Sequence, residues 1–198
     1  MEQADTAVGP GYVHDRHRAF VDMELSTGRS DWPPVVEDLF PGVTGLPEIE
    51  GGDLDAAAVA SGIVHHGSVL VRNLVDDEAV ATLIDDIDRA IEGHDRWKDG
   101  SPAESTAPHF VPFEPSKGYP AVSGLRRWIR DGGGCWLADS PQAFADLRSI
   151  YDAVGLRQVI TEHLGEAPAI SVNKATLRRV RHDLEHADWH QDGAFMER

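Results

Sequence analysis

The segment Asp188-Trp189-His190-Gln191-Asp192-Gly193-Ala194-Phe195 holds the residues of this 198-residue chain best suited to chemistry. His190 and Asp192 are two positions apart. On a strand, residues i and i+2 face the same way, so an imidazole and a carboxylate at this spacing can reach one ion. Two imidazoles and one carboxylate on one face of the metal are how non-heme oxygenases hold Fe(II), with the remaining positions open to co-substrate and O2. Spacing alone does not single this pair out. With 10 histidines and 21 aspartates, chance gives about one His-x-Asp, and the chain has two, His186-Ala-Asp188 and His190-Gln-Asp192. The neighbourhood separates them. Trp189 before the second pair, and Gly193-Ala194-Phe195 after it, make it a polar island in apolar surroundings, which suits a metal site whose shell controls solvent access.

Other constellations compete with this one. His182, His186 and His190 are spaced i, i+4, i+8, so a helix would present all three on one face to Zn or Ni. Glu185 does not complete the His-Glu-x-x-His pattern of metalloproteases, and the segment lacks an apolar stripe to dock such a helix. Arg126-Arg127 and Arg178-Arg179-Arg181 read either as local salt bridging or as contacts for an anion. His65-His66 reads as a polar turn. Asp131-Gly132-Gly133-Gly134-Cys135 lacks the lysine and setting of a phosphate loop and reads as a flexible connection. Cys135, the single cysteine, excludes an intrachain disulfide and a Cys-rich zinc site, and reads as inert.

The elements that must position these residues follow from pattern. Pro33, Pro34, Pro41 and Pro47 break up the early chain, which reads as an extended segment over residues 1–45 ahead of a domain over residues 46–198. Asp53 is placed to cap a helix through Leu54–Ser61 that Gly62 ends. Residues 67–75, GSVLVRNLV, read as a buried strand. Asp76 or Asp77 caps the next helix. Val80, Leu83, Ile84, Ile87 and Ile91 form its apolar stripe, with Asp85, Asp86, Asp88 and Arg89 mostly opposite and Gly93 as the stop. Residues 94–134 read as irregular apart from a short helix in GLRRWIRD, and the proline-rich stretch 101–120 as a candidate lid. Ser140-Pro141 marks a helix start. Phe144, Leu147, Ile150, Tyr151 and Val154 continue that helix, with a break at Gly155 and a stop at Gly165. Residues 168–181, PAISVNKATLRRVR, read as extended, and HDLEHAD as a polar connection into the motif. Helices early and strands late predict an α+β fold.

WHQDGAFM resembles the iron-binding segment of the phytanoyl-CoA dioxygenase family of Fe(II)/2-oxoglutarate oxygenases. GSVLVRNLVDDEAVATLIDDIDRAI is similar to that family's early strand and helix, and ISVNKATLRRV to the strand leading to the metal motif. The likeness spans roughly residues 46–198. It implies the N-terminal part of a double-stranded β-helix, or jelly roll, with flanking helices. It implies Fe(II), 2-oxoglutarate as co-substrate, O2 and a small-molecule substrate hydroxylated at an aliphatic C–H. His190 and Asp192 match the first histidine and the carboxylate. Lys174 and Thr176 match positions whose side chains contact 2-oxoglutarate in related enzymes. A carboxylate at Asp192, rather than a small residue that leaves room for halide, implies hydroxylation. The family's distal histidine and its 2-oxoglutarate-binding arginine follow the motif, and neither lies in the residues after Asp192. The expectation is therefore a jelly roll cut short and inactive as given. The alternative is a non-catalytic family remnant or acidic interaction module.

Composition sets outer bounds. The formal net charge is −16, from 18 basic and 34 acidic residues. That disfavours nucleic acid, whose phosphates need Lys and Arg, and anionic membrane surfaces. The N-terminus has neither a basic nor an apolar signal region, and AAAVASGIV is far short of the ~20 residues that span a bilayer. Together these predict a cytoplasmic protein with no nucleic-acid or membrane partner.

Overall fold

A computed structural model describes residues 34–112, 127–172 and 174–179. They form a mixed helix and strand structure with two two-stranded sheets. The first is a parallel pair, β1 (Glu48–Glu50) and β2 (Leu70–Arg72), in register Glu48 to Leu70, Ile49 to Val71 and Glu50 to Arg72. Parallel strands need a crossover. Here it contains helix α1 (Ala56–Ser61) and a π-helical turn, Gly62–His66. The cap of α1 is Asp55, whose carboxylate accepts from Ala58 N at 2.7 Å, rather than Asp53. Gly62 does not end the helical path. Its Cα lies so close to Val69 that a side chain would collide, and the chain turns only at Gly67, at φ +82°.

Helix α2 (Asp77–Lys98) is the spine of the structure. Asp76 caps it, accepting from Ala79 N at 2.7 Å, and Asp77 and Glu78 complement the positive end of its dipole. Its buried residues are Asp86, Ile87, Ala90 and Gly93, with Leu83 and Ile91 partly buried at the edge. This stripe is rotated from the one the apolar residues predict. Val80 and Ile84 are exposed, and Asp86 is inside.

Gly93 is not a stop either. A Cβ there would lie 2.8 Å from the Cβ of Phe110, so glycine is what lets the 103–112 loop close on the helix. Phe110, itself 2% exposed, is boxed by His94, Trp97 and the Arg130 guanidinium. These contacts reward continuing the helix past its glycine.

The second sheet joins β3 (Gly134–Trp136) and β4 (Thr176–Arg178) in antiparallel register, Gly134 to Arg178, Cys135 to Leu177 and Trp136 to Thr176. Leu137 N donates to Ala175 O at 3.1 Å and extends the pairing. The short helix α3 (Arg127–Asp131) leads into β3. The glycine run that reads as a loose connection thus ends in a fully buried strand. Helix α4 (Pro141–Ala153) starts at Ser140-Pro141 as expected, although the Ser140 hydroxyl does not cap it. Gly155 and Gly165, at φ +70° and +71°, bound α5 (Leu156–Leu164). The core unites Ile87, Ala90, Cys135, Leu137, Ala143, Phe144 and Leu147, so α2, β3 and α4 enclose it and Leu177 of β4 packs on its edge.

Candidate functional site

β4 is the described element nearest in sequence to the His-x-Asp segment. Its strand is three residues long, shorter than the extended stretch read from the sequence. Thr176 is its first residue, paired with buried Trp136 and half-buried itself. Lys174 precedes the strand, in an exposed turn where its N–H donates to Ser171 O at 2.8 Å. The two candidate 2-oxoglutarate contacts therefore share one short stretch, but only Thr176 is on the strand. His190 and Asp192 lie outside the described residues, as do His182, His186, Arg126 and Arg181. Arg179 binds Asp88 of α2 through Nη2 at 2.5 Å and Nη1 at 3.3 Å, which is the salt-bridge reading of that basic cluster. This pair ties the chain just after β4 to the outer face of the spine.

Around β3 lie two networks of buried polar groups that sequence reasoning did not single out. In the first, Asp139, 2% exposed, is paired with Arg130 of α3, and Ser140 Oγ donates to its other oxygen at 3.1 Å. Burial pushes the Asp139 carboxyl up to about 6, while the Arg130 charge and these hydrogen bonds pull it down. The network also anchors the 103–112 loop, since Val111 N donates to Asp139 O at 2.8 Å and Gln142 N to Pro108 O at 3.1 Å. Next to it, burial pushes the Cys135 thiol up to about 12. A thiol that stays protonated is no nucleophile, so Cys135 behaves as a core residue.

The second network joins α2 to α4. Asp86 of α2 lies beside Asp146 of α4, and Gln142 Nε2 donates to Asp146 Oδ2 at 2.7 Å. His109 lies in the field of Asp85, Arg89 and Asp146, and desolvation holds its imidazole below the usual range. The apolar pattern sets Asp86 on the polar face of α2, so the sequence does not mark it as buried. Its partner is far along the chain, so it could not be paired by pattern.

An open cleft of about 430 Å³ runs along the outer side of α2, lined among others by Asp85, Asp88, Arg89, Glu92, Arg96 and His109. Three carboxylates set against two guanidinium groups make it a poor receptor for a dicarboxylate. Among the described residues, no group of three or more His, Cys, Asp and Glu side chains could hold a metal ion. Among the same residues, no helix is long and apolar enough to cross a membrane. Comparison with family models, with curated proteins and with solved structures finds no match to this chain.

Proposed function

We propose that this chain carries part of the iron site of an Fe(II)/2-oxoglutarate oxygenase of the phytanoyl-CoA dioxygenase type, with His190 and Asp192 as two of the metal ligands. The observation that carries the reading is the segment Trp189-His190-Gln191-Asp192-Gly193, a metal-competent pair in an apolar frame, following shortly after a strand seated on the core. The order of elements supports it: β2, the Asp76-capped helix α2, and β4 occur in the sequence order of the resemblance. On this reading β3 and β4 are two strands of a jelly roll, and α2 and α4 are helices packed outside it.

Iron with 2-oxoglutarate and O2 supplies, when bound, the oxidising power to hydroxylate an aliphatic C–H. The chain's own contribution is to hold and orient. His190 donates a neutral imidazole, Asp192 offsets metal charge, and Lys174 and Thr176 supply a cation and a hydroxyl to a dicarboxylate. A small-molecule substrate would lie over the same sheet.

Anaerobic titration of the full chain with Fe(II) and 2-oxoglutarate tests this. The expected result is a weak visible charge-transfer band that His190→Ala and Asp192→Ala each abolish. A folded wild-type chain without the band, or a band indifferent to both substitutions, overturns the assignment. The net charge of −16 favours a second reading, a non-catalytic acidic interaction module, whose expected outcome is the folded chain without the band.

A further inference from the structure

Asp86 is an acidic residue on the buried stripe of α2, 4% exposed, beside Ile87 and one turn before Ala90. Its Oδ2 meets no hydrogen-bond partner among the described residues. A buried carboxylate in that state is costly unless it is neutralised or paired. The group it meets across the helix junction is another acid, Asp146 of α4. Two carboxylates can share a hydrogen bond only if one carries a proton, because an ionised carboxylate accepts and does not donate. Asp146 is half-buried and already takes the Gln142 amide on Oδ2, so the proton belongs on the more deeply buried Asp86.

We propose that Asp86 and Asp146 form an acid pair holding one proton, that this proton fastens α2 to α4, and that its loss loosens the junction. The surrounding groups on every packed element are consistent with this. On α2, Asp85 adds negative charge, and Arg89, the cation in range, is engaged by Asp85 at 2.7 Å. From α4 the facing groups are Asp146 itself and the neutral Gln142. From β3 comes Cys135, neutral as a thiol, and from β4 the apolar Leu177. From the 103–112 loop comes His109, which faces Asp146 and Asp85, and whose Nδ1 is buried without a hydrogen-bond partner. Burial first, then the Asp146 charge and hydrogen bond, push the Asp86 carboxyl up to about 7 from its ordinary 3.8.

The sign follows. A folded-state value above the unfolded one means the native chain binds the proton more tightly. Its contribution to stability is then complete below about pH 4 and is lost as pH rises through about 7.

Thermal unfolding of the full chain, wild type against Asp86→Asn, between about pH 5 and about pH 8, reads this directly. Asparagine keeps the shape and a donor to Asp146 but has no proton to lose. The wild-type Tm should fall by about 5 °C relative to the variant across that range. Equal pH slopes in the two proteins overturn the proposal. Carbon-13 carboxyl NMR on the wild type serves if the variant does not fold. An Asp86 signal titrating near 7 supports the acid pair, and one titrating near 3.8 overturns it.

Discussion

The β1–α1–β2 unit and the α2–α4–β3–β4 body are built on different terms. The body buries large side chains completely. Trp136 is 0% exposed and Leu137 1%, and Asp139 and Asp86 are buried as well. The unit, together with the segment before β1, buries mostly small ones, Ala58, Val59, Ala60 and Ser61, and leaves Val35, Leu39, Val43, Leu46, Ile63 and Val64 exposed. Its connections are polar and near the surface. Leu39 N donates to Ser61 Oγ at 2.8 Å, His66 meets Asp38 at 3.0 Å, and Arg72 of β2 grips Glu48 of β1 through two nitrogens. The lesson is that similar ion pairs have opposite weight in the two places. An exposed pair is screened and gains little. A buried one is costly to break, because the partner left behind cannot return to water.

Substitutions can break or sharpen this contrast. The largest effect is expected at Trp136→Ala, which should cost about 3–5 kcal/mol in chemical denaturation by leaving a cavity where a large, fully buried side chain sits. Arg130→Ala follows, at about 3 kcal/mol, because it strands Asp139 inside. It carries a pH signature as well. Asp139 already sits above its ordinary value, so its contribution is complete below about pH 4 and lost as pH rises to about 6. Without Arg130 the carboxyl rises further, and the variant should lose stability over a wider range toward neutral pH than the wild type.

Gly93→Ala should cost about 1–3 kcal/mol despite alanine's better helix propensity, since the methyl meets Phe110. Asp76→Ala should cost about 1 kcal/mol through the lost cap. Smallest of all, Glu48→Gln should leave the denaturation midpoint unchanged at physiological salt. A Glu48→Gln loss as large as that of Arg130→Ala would erase the distinction between unit and body.

The two regions also differ in how legible they were. Element identities came through where the signal was local: the Asp76 cap, the Ser140-Pro141 start, the breaks at Gly155 and Gly165. The errors came from contacts at a distance. Gly62 and Gly93 have the composition of helix stops, yet one accommodates Val69 and the other Phe110. Hydrophobicity placed Val80 and Ile84 inside and Asp86 outside. The partners of α2, namely Asp146, Cys135 and the 103–112 loop, turned the helix otherwise. β3 was invisible because a three-residue strand that begins inside a glycine run carries no period. For the candidate site, residue types and their apolar frame were readable in Trp189-His190-Gln191-Asp192, whereas its geometry lies beyond the described residues. The acid pair between α2 and α4 was unreadable because its halves come from different helices.

The close approach at Gly93 has a consequence for how freely this sequence can vary. The atom that a side chain at 93 would strike is the Cβ of Phe110, which every residue except glycine possesses. Shrinking the ring would therefore not make room. Tolerance is lopsided: position 110 can change its ring at the expense of packing alone, while position 93 is held to one residue type for as long as the loop keeps its place. In a library randomised at both positions, functional sequences should vary at 110 and collapse to glycine at 93.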